Sequence, residues 1–303
     1  MYIVVIGGAN MDISASSYSS IKLEDSNPGK VTLSPGGVGR NISENLCRLG
    51  INTYFVTALG DDIYGKAIID HGRSYGLDFS YSKIINTDNT GLYICINDNQ
   101  GEMVVSVNAM DICSKTDPEL IEEHIDFINN ASLVIIDTNL SELTLKYIAD
   151  NVTAPIACDL VSIIKSYKVI PILDKLEIIK ANRFEIEAIT SHKIIEGEDL
   201  NTAAKNVLDK GVKKLIVTLG SQGSFYADSK SSGVIPPLDT VVMNTTGCGD
   251  SYMAAACARF VYGDDLEQMA KYGVIAASLT ASHDGAVLPY LSMDMLNRHI
   301  KDI

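Results

Sequence analysis

The stretch "YIVVIGG", Tyr2–Gly8, decides the fold class. It is a continuous apolar run, rich in β-branched residues and stopped by two glycines, the pattern of a strand buried on both faces. Five more segments repeat it: "YFVTALG" (54–60), "LVIIDT" (133–138), "PIACD" (155–159), "LEIIKAN" (176–182) and "KLIVTLG" (214–220). Amphipathic segments lie between them. In "VGRNISENLCRLG", Val38, Ile42, Leu46 and Leu49 recur at helical spacing, and Gly50 follows as a stop. "DPELIEEHIDFINN" (117–130), "SELTLKYIADN" (141–151) and "EDLNTAAKNVLDKG" (198–211) read as further helices. Buried strands alternating with helices predict an α/β fold with a mostly parallel central sheet covered on both faces.

The alternation breaks twice. Residues 13–33 are polar and contain the turn "SNPG"; residues 91–110 begin as a hairpin around "NDNQG". A small antiparallel β sheet projecting from the body accommodates both, placed as a lid over a ligand. With 303 residues, 46% hydrophobic, the chain is expected to form a single domain over 1–303 with the lid inserted in it. The formal net charge of −14 argues against nucleic acid, which needs clustered Lys and Arg. No apolar run is long and uncharged enough for a membrane span, and the first residues lack the basic head of a signal peptide, so the expected location is cytoplasmic. The six cysteines (47, 95, 113, 158, 248, 257) form no CxxC pair and no metal-ligand pattern with histidine, as expected of reduced structural thiols.

Two glycine-rich turns carry the chemistry. In "SPGGVGRN" (34–41), Gly36 and Gly37 let backbone approach a ligand, and Asn41 offers both a donor and an acceptor. In "NTTGCGD" (244–250), Gly247 and Gly249 leave consecutive N–H groups free to face one concavity, and a helix follows with its N-terminal dipole. Asp250 at that point is either an N-cap or a base beside an anion hole, and the turn alone leaves both readings open. Neither turn is a Walker A loop, and "GGAN" after the first strand is not a dinucleotide fingerprint.

Together "GGVGRNISENLCRLG" and "NTTGCGD" resemble, in order and spacing, the two signatures of the ribokinase-like sugar kinases, the PfkB family. "GANMD", "GDDIYG" (60–65), "NRFE" (182–185) and "VTLGSQG" (217–223) match as well, so the resemblance covers essentially the whole chain. It implies a three-layer α/β/α sandwich and transfer of phosphate from ATP, with Mg2+, to an alcohol of a small sugar or nucleoside. It identifies Asp250 with the base, and Gly247, Cys248 and Gly249 with the anion hole. Asn10, Asp12, Gly36, Gly37 and Asn41 correspond to the sugar contacts. Asn182, Glu185, Thr218, Gly220, Gly223 and His283 correspond to the nucleotide end, Glu185 organising Mg2+ through water. Asp61 and Asp62 read as helix caps. In some relatives the lid forms a homodimer interface.

Two positions depart from the family pattern. Asn244 stands where an aspartate is usual in a loop that often helps to build a monovalent-cation site, which puts potassium dependence in doubt. Cys248 replaces a common alanine, and a thiol at a helix N-terminus is expected to have a lowered pKa and some susceptibility to oxidation. For the acceptor, "SNPGKVTLSPGGVGRN", "VSVNAMDIC" and "DTNLSE" resemble the pseudouridine kinases within the family, which act on the 5′-hydroxyl of a C-nucleoside; free-sugar kinases of the ribokinase or fructokinase type are the alternative. Asn139 falls where free-sugar members often carry glutamate. An amide both donates and accepts, which suits the mixed edge of uracil. Asn27, Asn108 and Asn139 are accordingly expected to form an amide-rich pocket beneath the lid, with Met110 either on the base or in the lid core.

Overall fold

The apolar runs pair edge to edge. Thr53–Val56, Ile3–Ile6, Leu133–Asp137, Ile156–Asp159, Ile178–Asn182 and Lys214–Thr218 lie side by side in that order, all parallel. Ser224–Asp228 and Ser232–Ile235 extend the sheet to eight strands with antiparallel pairs. The computed structural model describes residues 1–195 and 197–303. Because side chains alternate across a strand, Ile3 and Val5 enter one apolar layer while Val4 and Ile6 enter the other. The first layer packs against the helices Val38–Arg48, Cys248–Val261 and Leu266–Ala281. The second packs against Glu142–Asn151, Arg183–Thr190 and Gly197–Leu208. The result is the three-layer α/β/α sandwich that the strand–helix alternation and the resemblance both call for.

Two expected elements are divided. "YFVTALG" ends its stay in the large sheet at Val56, and Ala58–Gly60 pairs instead with Lys83–Ile85. "DPELIEEHIDFINN" breaks at His124 into Pro118–Glu123, capped by the Asp117 carboxylate, and Ile125–Asn129.

The smaller sheet has the order Gly29–Gly36, Asn10–Ser17, Leu92–Asn97, Met103–Ala109. Its two outer pairs are antiparallel and its inner pair is parallel. The first hairpin is longer than residues 13–33: Asn10 already pairs with Gly36, so the ladder reaches down to the turn that leaves the first strand of the body. The second turn is tied by Asp98, whose carboxylate accepts from Gln100 N and Glu102 N. No helix among the described residues is long and apolar enough to cross a membrane, and all six cysteines are free.

This topology brings one end of the molecule to bear on a ligand. Asp137, Asp159, Asn182 and Thr218 are each the last residue of a parallel strand, and Gly7 and Gly8 follow Ile6. Crevices at the carboxyl ends of parallel strands are where α/β sheets bind ligands. The smaller sheet rises from the same end.

Candidate active site

Asp250 lies in the first turn of the helix Cys248–Val261, and the N-cap is Gly247, not Asp250. The cap reading of this acid therefore fails. Its buried carboxylate instead accepts a hydrogen bond from Asn41 Nδ2 at 2.7 Å. Asn41 is held by its neighbour: the buried Arg40 guanidinium donates to Asn41 Oδ1 and pairs with Glu44. A guanidinium only donates, so Oδ1 must face Arg40 and Nδ2 must face Asp250. The two glycine-rich turns, far apart in the chain, thus meet through one amide.

Of the two glycines of the second turn, Gly247 is required sterically. Gly247 has φ 77°, and a Cβ there would lie 1.8 Å from the Ala286 carbonyl oxygen. A Cβ on Gly249 would lie 2.8 Å from Lys180 Nζ. Lys180 is a fourth participant that the sequence reading passed over. It is buried, comes from the strand Ile178–Asn182, and forms an ion pair with the buried Asp159 at 2.7 Å. The signal was present, since a lysine inside "LEIIKAN" breaks an otherwise apolar strand. Burial, and after it the charge of Asp159, push the Asp250 carboxyl up to about 7; Lys180, the Asn41 bond and Arg40 pull the other way. Cys248 does not have the lowered pKa expected of a thiol at a helix start. Burial, then the Asp250 charge, raise it to about 11, because a nearby carboxylate and loss of water outweigh the helix dipole.

The sugar-contact candidates cluster at the root of the smaller sheet. Asn10 Nδ2 donates to Asp12 Oδ1 at 2.5 Å, and a Cβ on Gly36 would lie 2.1 Å from Asp12 Oδ2. Gly37 has φ 97° and packs on the Gly8 carbonyl, which accepts from Arg40 N. Gly7 leaves room for Asp137, whose carboxylate accepts from Gly8 N and Asn139 N.

The three asparagines expected to converge do not. Asn27 spends its amide within its own exposed turn, accepting from Lys22 N and donating to the Lys22 and Asp25 carbonyls. Asn108 lies opposite Tyr93 on the exposed strand Met103–Ala109. Asn139 lies beside Gly8, and its Oδ1 accepts from Lys165 Nζ at 2.6 Å. It lines an open cavity of about 410 Å3 with Met110, Cys113, Ser141 and Lys168, among others. Met110 also packs on Gly91. Lys165 and Lys168, close to Asn139, were missed; nothing in "VSIIKSYKV" sets them apart from surface lysines.

At the other end, Asn182 and Glu185 form a capping box: Asn182 Oδ1 accepts from Glu185 N, and Glu185 Oε2 accepts from Asn182 N. Burial raises the Glu185 pKa, against the opposing charge of Lys180. Thr218, at the end of its strand, donates to the Ala181 carbonyl at 3.4 Å. Gly220 and Gly223 both have positive φ, and a Cβ on Gly223 would lie 2.0 Å from the Ile235 carbonyl oxygen. His283 Nδ1 accepts from Gly285 N at 2.9 Å. Asp62 caps the helix Ile63–Arg73, accepting from Tyr64 N and Gly65 N; Asp61 lies outside it, paired with Lys66.

Glu185 is a hard oxygen donor whose Oε2 accepts from Asn182 N, leaving Oε1 outside the capping bond. That donor fits a magnesium ion whose other ligands are phosphate oxygens and water. In the loop at 244, Asn244 Nδ2 donates to the Asp284 carbonyl at 2.8 Å.

The pfkB family carbohydrate kinase model matches residues 1–292. The chain belongs to this family. It is 34% identical to pseudouridine kinase of Escherichia coli over 294 residues, covering 96% of this chain and 94% of that one. It is 25% identical to guanosine-inosine kinase of Exiguobacterium acetylicum, covering 95% and 97%. The Arabidopsis thaliana ribokinase structure, complexed with ribose and ATP, superimposes with a TM-score of 0.89 at 23% identity, covering 99% of this chain and 98% of that one. As a PfkB kinase, the protein is a phosphotransferase with an alcohol group as acceptor and a ribokinase-like fold.

Proposed function

We propose that the protein transfers the γ-phosphoryl group of ATP to the 5′-hydroxyl of pseudouridine. The observation that carries the reading is the bond from Asn41 to Asp250, which puts a buried carboxylate, the glycine turn of 247–249 and the sugar-facing turn of 36–41 at one point. In this mechanism Asn10, Asp12 and Asn41 orient the ribosyl hydroxyls, and Asp250 accepts the O5′ proton as attack proceeds. The N–H groups of Gly247 and Gly249 take the transferred group, joined by Cys248 N once it leaves the Thr245 carbonyl it meets at 3.4 Å, and Lys180 lies behind Gly249 in its ion pair with Asp159. Thr218, Gly220, Gly223 and the segment around His283 take the nucleotide. Magnesium, held through water near Glu185, supplies charge neutralisation on the phosphates when bound. Phosphoryl transfer is loose, so positioning dominates, yet a carboxyl near 7 also accepts a proton readily at neutral pH.

The assignment to pseudouridine is supported by the Escherichia coli relative and by Asn139 with Lys165, an amide and an ammonium beside the cavity lined by Met110, Ser141 and Lys168. With Oδ1 held by Lys165, Asn139 Nδ2 and the ammonium are donors that suit the two carbonyl oxygens of uracil. The smaller sheet acts as the lid. Its exposed apolar side chains Val31, Leu33, Ile96, Met103, Val105 and Val107 support a homodimer through this sheet, which sedimentation of the chain tests.

The deciding experiment is product analysis with ATP and pseudouridine, uridine, inosine, guanosine, ribose and fructose in parallel. The reading requires the highest kcat/KM for pseudouridine with a 5′-phosphate product. Preference for inosine and guanosine, or for a free sugar, would replace it with another nucleoside kinase or with a ribokinase-type activity.

A further inference from the structure

The loop before the anion hole is closed by hydrogen bonds. Met243 N and Asn244 N both donate to the Ala281 carbonyl, at 2.8 and 3.2 Å. The Asn244 amide completes the closure: Oδ1 accepts from Thr246 N at 2.9 Å and Nδ2 donates to the Asp284 carbonyl at 2.8 Å. These two bonds fix the orientation of the amide, because turning it over would set oxygen against a carbonyl and nitrogen against an N–H. Three residues after Asn244, Gly247 packs directly on the Ala286 carbonyl. The segments 243–247 and 281–286 are therefore fastened at both ends of the turn that leads into Gly247–Asp250. The Ala281, Asp284 and Ala286 carbonyls that this loop meets are oxygen ligands of the kind a potassium-sized ion takes. The Asn244 N–H pointing at the Asp284 carbonyl supplies the positive partner that a cation would otherwise give it.

We infer that Asn244 is a built-in substitute for a monovalent cation: its side-chain amide fastens the anion-hole loop to the 281–286 segment, so phosphoryl transfer does not depend on potassium. An aspartate at this position would offer only acceptors, set a carboxylate against the Asp284 carbonyl, and need a cation between them. Asn244 touches no reacting atom in this scheme. It is a positioning residue that acts through the backbone of Gly247–Gly249.

The inference rests on the kinase reading of the site. The test compares wild type, Asn244→Asp and Asn244→Ala at constant ionic strength in N-methylglucamine, sodium, potassium or caesium chloride. Turnover and, separately, the thermal midpoint without substrates are read. Wild type should vary by less than about twofold across the salts. Asn244→Asp should lose about tenfold in the organic cation, the factor carried by one hydrogen bond's worth of loop closure, and recover in potassium or caesium. Its midpoint should rise with potassium while that of wild type does not. Asn244→Ala should be impaired equally in every salt. Several-fold activation of wild type by potassium would overturn the inference. So would an Asn244→Asp enzyme that is unimpaired without potassium, or one that no monovalent cation restores. If no acceptor is turned over in any salt, the kinase reading fails, while the midpoints still decide whether Asn244 replaces a cation.

Discussion

Replacing Asp250 by asparagine separates catalysis from stability, and the two effects have opposite signs. The side chains are isosteric, and Asn41 Nδ2 can donate to an amide oxygen as it does to the carboxylate, so the contact between the two turns persists. What disappears is the charge and the ability to take a proton. A positioned general base contributes about 10²–10⁴ in rate, so turnover should fall by at least about a hundredfold while ATP affinity changes little. Stability should move the other way. A carboxyl carried from its ordinary 3.8 to about 7 by folding is costly to ionise, by about 4 kcal/mol at most when fully charged, at about 1.36 kcal/mol per pH unit. The sign follows from linkage. The folded state binds the proton more tightly than the unfolded one, so this stability is fully present below about 3.8 and lost as pH rises through about 7. The asparagine variant escapes that loss. At pH 8 it should be the more stable protein, by up to about 6 °C in thermal midpoint for a chain of this size, and the difference should shrink as pH falls toward 4. Steady-state kinetics with the best acceptor, nucleotide titration by calorimetry, and scanning calorimetry at pH 5 and 8 measure the three quantities. Turnover within about tenfold of wild type would refute the base assignment. A variant less stable than wild type at pH 8 would refute the account of a carboxylate burdened by burial.

Two further outcomes follow from the same geometry. In wild type the acid limb of kcat/KM against pH should fall near 7, where the Asp250 carboxyl takes up its proton; Asn41→Leu removes a bond that favours the carboxylate, so that limb should move to higher pH and the pH-independent rate should drop by about 10–100-fold, both read from one pH–rate series. Gly7→Ala would place a methyl 2.3 Å from Asp137 Oδ2 and should cost about 1–3 kcal/mol, seen as a lower urea midpoint with an unchanged slope.

The apolar strands with their glycine stops, and the helical spacing between them, were legible because burial on both faces of a parallel sheet leaves a local mark on composition. The paired glycine turns were legible for a similar reason: a backbone at φ 77° or 97°, where an added Cβ would lie 1.8 or 2.5 Å from a carbonyl oxygen, admits no side chain, and that demand shows as glycine at Gly247 and Gly37. Asp62 as a cap and the turn at Asp98 depend on neighbours a few residues away, and they too were readable. The division of "YFVTALG" was not, because propensity is continuous across it and pairing with a second strand, Lys83–Ile85, takes Ala58–Gly60 out of the large sheet; nothing in the structure explains the helix break at His124.

What the sequence determined alone, then, was the layered α/β architecture, the family and the turns that flank the site. Only the tertiary structure decided that Asp250 faces Asn41 and is no cap, that Lys180 and Asp159 form a buried pair behind Gly249, that Asn27 stands apart from Asn139, and that the Cys248 thiol is held protonated. The reason is physical. Hydrogen-bond partners, desolvation and the charge around a carboxylate are set by groups brought within a few ångströms by folding, and chain separation carries no information about those distances.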